Sequence, residues 1–202
     1  MCSWNGNQCN INEDFRLHTD PQYGNCYTFN SDSAKRLISS RAGSSYGLRL
    51  MLYVNSSDYL PTTEMAGVKI SIHEIGKNPY PEIFGYSGPT GAISSYGISL
   101  RKVKRLGKHG ECVMQDEPLP ENYIYKHYDT EGCVRSYYQA SIIQTCKCAD
   151  PRYPTSNNSI KICDIFNKAQ KNCLLLQSLK FEKNNITSTC KPVCGQNLWT
   201  TR

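Results

Sequence analysis

Eleven cysteines are the densest reactive groups in this 202-residue chain. Thiols in such number can bind metal, attack substrates or pair as disulfides. Structural zinc sites need two matched Cys-x2–4-Cys pairs. Cys190 and Cys194 supply half of one, but Cys146-Lys147-Cys148 is too tight to chelate, and no histidine stands at ligand spacing. Nucleophile motifs are absent: there is no Gly-x-Ser-x-Gly, no His-Glu-x-x-His and no phosphate loop. The chain therefore reads as a non-enzyme without metal or cofactor. Disulfides remain, and they require an oxidising compartment. Three glycosylation sequons point the same way, at Asn55, Asn157 and Asn185. Eight of the eleven cysteines begin at Cys112, and eight sulfurs allow 105 connectivities, so spacing alone selects none.

Two kinds of element must position these sulfurs. Before residue 112, alternation marks strands over residues 46–54, 66–75 and 93–103, with a shorter one at 26–29. Val68, Ile70 and Ile72 share one face of the second, opposite Lys69, Ser71 and His73. Turn signals lie at residues 59–61, 76–81 and 85–91. After Cys112 the pattern becomes helical. Thr130 and Glu131 open a helix over 130–145, and a second runs over 163–181 with Leu174, Leu175 and Leu176 as its apolar stripe. The fold class is α+β. Only 39% of residues are apolar, against roughly 45–50% for typical domains, so cross-links must supplement a thin core.

Export presents a contradiction. No signal peptide opens the chain, and its best apolar run, residues 47–54, falls far short of the ~20 residues that span a bilayer. The expected resolution is an internal piece of a longer protein. An odd number of cysteines fits, since one partner is then elsewhere.

Several runs together carry a family resemblance: Tyr23-Gly24-Asn25-Cys26-Tyr27-Thr28-Phe29-Asn30, Tyr46-Gly47-Leu48, Asp58-Tyr59-Leu60-Pro61, and Ala66 through His73. Cys146-Lys147-Cys148 and Cys190-Lys191-Pro192-Val193-Cys194 complete the series. The chain resembles the extracellular domain of the degenerin/epithelial sodium channel family, acid-sensing channels included, over nearly its whole length. The resemblance implies a hand-like ectodomain. Residues 1–22 would be the end of the finger, 23–111 palm and β-ball strands, 112–194 a two-helix thumb, and 195–202 the return toward the palm. It also implies nested thumb disulfides, Cys112–Cys194, Cys133–Cys190, Cys146–Cys173 and Cys148–Cys163, with Cys2–Cys9 closing a finger loop. Cys26 is left unpaired, its family partner lying in an earlier segment. A fifth rung of acid-sensing relatives is missing as a unit, with Tyr137 and Ser188 at its positions.

Further implications concern function. Family members are homo- or heterotrimeric channels of the plasma membrane that pass sodium, and this piece would serve stimulus sensing on the extracellular side. Extracellular matrix or a peptide ligand are the expected additional partners. The alternatives are a truncated non-conducting product and a disulfide-rich interaction module. Acid-sensing relatives use paired carboxylates that share a proton. Here the corresponding loop is shortened to Thr62-Thr63-Glu64-Met65 and the helix reads Leu174-Leu175-Leu176-Gln177, so that pocket is lost. His18, His73 and His127 read as surface residues. The basic run Arg101-Lys102-Val103-Lys104-Arg105 lacks interleaved aromatics and reads as a solvated strand end, not a nucleic-acid site. His109 precedes Cys112 by three residues and would titrate near neutrality; an exposed loop histidine is the preferred reading, a pH switch in gating the sharper one. His109→Ala in the complete channel tests it. An altered pH response supports the switch, and an unchanged one abandons it.

Overall fold

The computed structural model describes residues 1–59, 61, 63, 65–106, 110–157, 159–183 and 189–201, with Glu182 and Lys183 as backbone only. The chain divides into two compact units, Met1–Leu100 with Trp199–Arg202, and Arg101–Leu198.

The first unit is built from short antiparallel pieces. β1 (Cys2–Trp4) turns into β2 (Asn7–Gln8) through Asn5 and Gly6, both at positive φ (51° and 80°). An Asn-Gly turn of this kind matches the twist of a tight hairpin. The Cys2–Cys9 disulfide closes it. α1 (Ile11–Asp14) is a single turn whose Asn10 side chain accepts from the Asn12 N–H. β3 (Phe15–Asp20) then pairs with β4 (Gly24–Phe29) in continuous register from Phe15–Phe29 to Asp20–Gly24. Asp20 fixes the turn by accepting from the N–H groups of Gln22 and Tyr23, at 2.8 and 2.9 Å. Phe29 packs on Phe15 and Trp4, at centroid distances of 5.1 and 5.4 Å.

The expected strand over 46–54 shrinks to β5 (Leu48–Leu50), which pairs with β1. Met51 still exchanges backbone hydrogen bonds with Met1, at 2.8 and 3.1 Å, but the side chains of Met51, Leu52 and Tyr53 stand exposed. β6 (Gly67–Ser71) follows, shorter than the alternation over 66–75 suggests, because Ser71 turns its hydroxyl onto the Pro79 carbonyl. α2 (Pro81–Phe84) leads into β7 (Gly85–Pro89), which pairs along β6. Residues 85–91 were expected to be a turn. Thr90 and Gly91 do turn, but Gly85–Pro89 form a strand because glycine lets the two backbones close up: a Cβ on Gly67 would overlap the Gly88 carbonyl, and one on Gly88 would press Val68 Cγ2 at 3.1 Å. In place of the expected strand start at 93, Tyr96 anchors to β7 by its ring on Tyr86 and its hydroxyl on the Ser87 carbonyl. β8 begins at Ile98 and runs to Lys104, pairing with β9 (Gly195–Thr201).

The second unit holds the two long helices. α3 (Thr130–Cys146) starts at Asp129, whose carboxylate accepts from the Gly132 N–H, and ends at Lys147 in the left-handed region (φ 59°). α4 spans Lys168–Lys183, not 163–181. Its start is shifted because Asn167, not Cys163, supplies the cap, accepting from the N–H groups of Ala169 and Gln170. No helix among the described residues is long and apolar enough to cross a membrane.

His18 and His73, expected on the surface, are half-buried, while His127 is exposed. Burial holds His73 below the usual histidine value of 6.5, although its Nδ1–H donates to the Glu74 carbonyl at 2.9 Å. A depressed folded pKa means the unfolded chain takes up the proton first. Stability from this site is therefore intact above pH 6.5 and declines as pH falls below it. Thermal unfolding at pH 7.5 and 5 should show a loss at the lower pH that His73→Gln reduces; an unchanged pH dependence in the variant refutes the assignment.

Candidate functional site

The second unit is organised by four disulfides. Cys112 joins Cys194, Cys133 joins Cys190, Cys146 joins Cys173 and Cys148 joins Cys163, with Cα separations of 5.0, 5.7, 5.9 and 4.9 Å. Each lies inside the one before it. Cys133 and Cys146 sit in the first and last turns of α3, about 20 Å apart along the axis at 1.5 Å per residue. The helices run antiparallel, since Cys146 meets Cys173 early in α4 while Tyr138 meets Phe181 late in it, ring centroids 4.9 Å apart. Two rungs have a shared backbone support. Beside Cys112–Cys194, Val113 N–H donates to Pro192 and Cys194 N–H to Val113, both at 2.9 Å. Beside Cys148–Cys163, Ala149 N–H donates to Lys161 and Cys163 N–H to Ala149, both at 2.8 Å. Each disulfide is thus flanked by a parallel bridge. Cys26, by contrast, is free and half-buried in β4, its thiol pushed up by burial and by Asp20.

Among the described residues, a small apolar cluster packs on the two helices: Tyr138, Ile142, Cys148 and Cys163, with Cys146, Tyr153, Leu174 and Phe181 packed against it. The three leucines expected as a stripe do not share a face, because successive helical residues are 100° apart. Leu174 turns inward, while Leu175 and Leu176 are 60% and 56% exposed.

A polar knot that the sequence reading missed holds α3 to the loop after it. Gln139, fully buried, donates through Nε2 to the Asp150 and Tyr153 carbonyls at 3.1 and 3.2 Å and accepts from the Asp150 N–H at 3.0 Å. The Asp150 carboxylate is equally buried. It accepts from the Arg152 N–H at 2.9 Å and from the guanidinium at 2.7 Å, which also reaches the Tyr138 hydroxyl. A signal was available: Asp150-Pro151-Arg152, one residue beyond Cys146-Lys147-Cys148, is an Asx-turn pattern.

Next to this knot opens a cleft of about 200 Å³ lined by Glu131, Arg135, Tyr138, Arg152, Tyr153 and Phe181, among others. Arg135 and Arg152 both lie over the Tyr153 ring at 5.6 Å. Arg135 also pairs with Glu131 at 2.6 Å, whose carboxyl is pushed up by burial and by Asp129. On the other side of α3, Tyr123 stacks on Tyr128 and accepts from the Asp129 N–H, fixing the helix entrance; burial raises the pKa of both phenols. Tyr128 in turn donates to the Lys191 carbonyl at 2.7 Å, next to the Cys133–Cys190 rung. These are groups for positioning and packing, and the arrangement holds no nucleophile–base pair.

Asn55 and Asn157 are exposed. Asn157 Oδ1 accepts from the Ser159 N–H at 3.0 Å, an Asx turn within its sequon, whereas Asn55 Nδ2 donates to Asp58 at 2.7 Å. Tyr137 is exposed on α3. Asn185, His109 and Ser188 lie outside the described residues, as do Thr62 and Glu64 of the shortened loop.

These features define a disulfide-stapled α+β module built on an antiparallel helix pair. The family described as "Amiloride-sensitive sodium channel" matches residues 1–202, and the chain belongs to it. That is a family of channels and not of enzymes. Degenerin del-1 of Caenorhabditis elegans is 52% identical over 206 residues, covering 100% of this chain and 31% of the relative. Degenerin mec-10 of the same organism is 44% identical over 205 residues, covering 99% and 28%. Degenerin deg-1 is 48% identical over 177 residues, covering 86% and 23%. The chain thus spans about a third or less of the length of these relatives.

Removing the guanidinium partner leaves a buried carboxylate. Arg152→Ala should cost about 3 kcal/mol, the low end for a broken buried pair because the guanidinium is itself 60% exposed. Adding Asp150→Asn should recover most of that loss. Thermal unfolding of the two variants decides it: no recovery in the double variant would show that the charge pair is not the source.

Proposed function

We propose that this chain forms part of the extracellular region of a sodium-channel subunit that assembles as a homo- or heterotrimer in the plasma membrane. Within it, residues 112–194 serve as the thumb, a stiff lever that passes a stimulus to a sodium pore formed by other parts of the subunit. Residues 1–22 correspond to the finger, 23–111 to palm and β-ball strands, and 195–202 to the return toward the palm. The carrying observation is the nested set of disulfides around two antiparallel helices, in a chain matched over its full length by the family. A lever must transmit displacement without bending, and cross-links near both ends of α3 oppose bending. A stimulus then acts by favouring one of two lever positions. Glycans at Asn55, Asn157 and Asn185 and oxidised cysteines suit the extracellular side. Matrix or a peptide ligand is the class of stimulus that fits, since the carboxylate pairs of acid-sensing relatives are missing from the sequence.

A chimera tests this. Residues 1–202 replace the matching segment of an amiloride-sensitive channel subunit, and surface delivery and sodium current are recorded in oocytes. The expected outcome is a surface-expressed, amiloride-blocked current. The joint variant Cys146→Ser/Cys173→Ser should lower the stimulus-evoked fraction of that current more than its surface level. A chimera with intact disulfides at the surface and no current overturns the reading.

A further inference from the structure

Four cations stand within five residues at the end of β8: Arg101, Lys102, Lys104 and Arg105. All four are exposed, and only Val103 between them is half-buried. Four cations elsewhere pair with acids, Lys77 with Glu74, Arg135 with Glu131, Arg152 with Asp150 and Lys191 with Glu111, while other exposed lysines, such as Lys161, Lys168, Lys171 and Lys180, stand singly rather than in a run. These four, three on β8 and Arg105 just beyond it, have no such partner among the described residues.

The reason lies in the sequence. Residues 83–110 contain no Asp or Glu, and neither do residues 189–202, which include the paired strand β9. Both strands of this sheet are therefore free of carboxylates, so none within it offsets the positive charge along β8. Mutual repulsion of adjacent cations is unfavourable, so the local arrangement is poised for an external anion. The backbone there is held in place, with the Arg105 N–H donating to the Cys194 carbonyl at 2.7 Å beside the outermost disulfide.

Geometry narrows the anion. At about 3.3 Å per residue, Lys102 and Lys104 lie on one face roughly 7 Å apart, while Arg101 and Arg105 lie on the other roughly 13 Å apart. A single small anion would engage one or two of them. A planar membrane would reach one face only. A ribbon-like polymer carrying anionic groups on both edges can meet cations on both faces, and arginine forks suit sulfate oxygens. Nucleic acid is the wrong polymer for an oxidising compartment, and no aromatic platform interleaves the run.

We propose that Arg101, Lys102, Lys104 and Arg105 form a docking strip for a linear sulfated polysaccharide. This deepens the extracellular reading above, naming the chemistry of a matrix partner, and it rests on that reading. Binding is electrostatic and weakens steeply with salt.

The test uses the secreted 202-residue chain and heparin as the probe, read by affinity and by its salt dependence. Arg101→Ser/Lys102→Ser/Lys104→Ser/Arg105→Ser should lose at least about tenfold in affinity and show a shallower salt slope. The milder Lys102→Gln/Lys104→Gln should fall between that variant and the parent, which guards against misfolding of the fourfold variant. A control, Lys161→Ser/Lys168→Ser/Lys171→Ser/Lys180→Ser, removes the same charge from other exposed positions and should bind nearly as the parent does. Equal losses in both fourfold variants would reduce the effect to net charge and overturn the strip. So would absent heparin binding, or stronger binding to phosphatidylserine vesicles or to single-stranded DNA. Disulfide mapping of the same sample separates the two readings: oxidised nested pairs without heparin binding sink only the strip, whereas reduced thiols sink the extracellular placement.

Discussion

Four disulfides closing one inside another between Cys112 and Cys194 do for the second unit what a large apolar core does for most domains. The innermost, Cys148–Cys163, closes a loop of 15 residues, for which the chain-entropy view gives about 3 kcal/mol. The outer ones do not add in proportion to their sequence spans. Once an inner pair is closed, the next must confine only the residues between the two rungs. Nesting therefore trades entropic gain per bond for something else, which is registration. Each rung fixes which residue of the outgoing chain faces which residue of the returning chain. The small cluster around Ile142 then packs without having to select its own alignment.

Registration along the helix pair still leaves the intervening loop to be held, and polar groups do this. Gln139 offers one donor group and one acceptor to backbone atoms of residues 150 and 153, so the loop after α3 is bonded as if it continued a sheet. Asp150 is buried deeply enough that only its pairing with Arg152 makes the site tolerable. An apolar residue at either position would leave backbone groups or a charge unmatched. This loop is fixed by hydrogen-bond geometry where the helices are fixed by covalent bonds.

Sequence patterning located what depends on periodicity and missed what depends on contact. The α3 start was legible because Thr130 and Glu131 follow Asp129, and caps are local. The α4 start was displaced by five residues because the cap at Asn167 did not stand out. β7 was invisible to alternation because its pairing depends on missing side chains at Gly85 and Gly88, and a strand of Gly, Ser and Pro around one Tyr looks like a turn. The alternation over 46–54 and 93–103 is genuine, but pairing takes up only Leu48–Leu50 and Ile98–Lys104, and no local pattern reports which residues find a partner. Sulfur pairing lay beyond spacing altogether: only the family resemblance ordered eight cysteines. The Gln139–Asp150–Arg152 knot was hidden because a mid-helix glutamine and an Asp-Pro-Arg loop each look ordinary alone.

The contrast between the two units then has a physical consequence. The first is made of two- and three-stranded pieces with one seven-residue disulfide loop and many exposed apolar side chains. Isolated sheets of two strands are marginal in water, so its pieces open locally at little cost. The second carries four rungs: Cys146–Cys173 ties the end of α3 to α4, and Cys133–Cys190 ties its start to the chain beyond α4, so displacing α3 strains a covalent link at each of its ends. Conformational change follows the soft parts of a molecule. A displacement applied to the cross-linked helices is therefore conserved as a rigid movement, while the lightly tied strands yield. Cross-link density, more than the chemistry of any single side chain, decides which part of this chain is stiff and which yields.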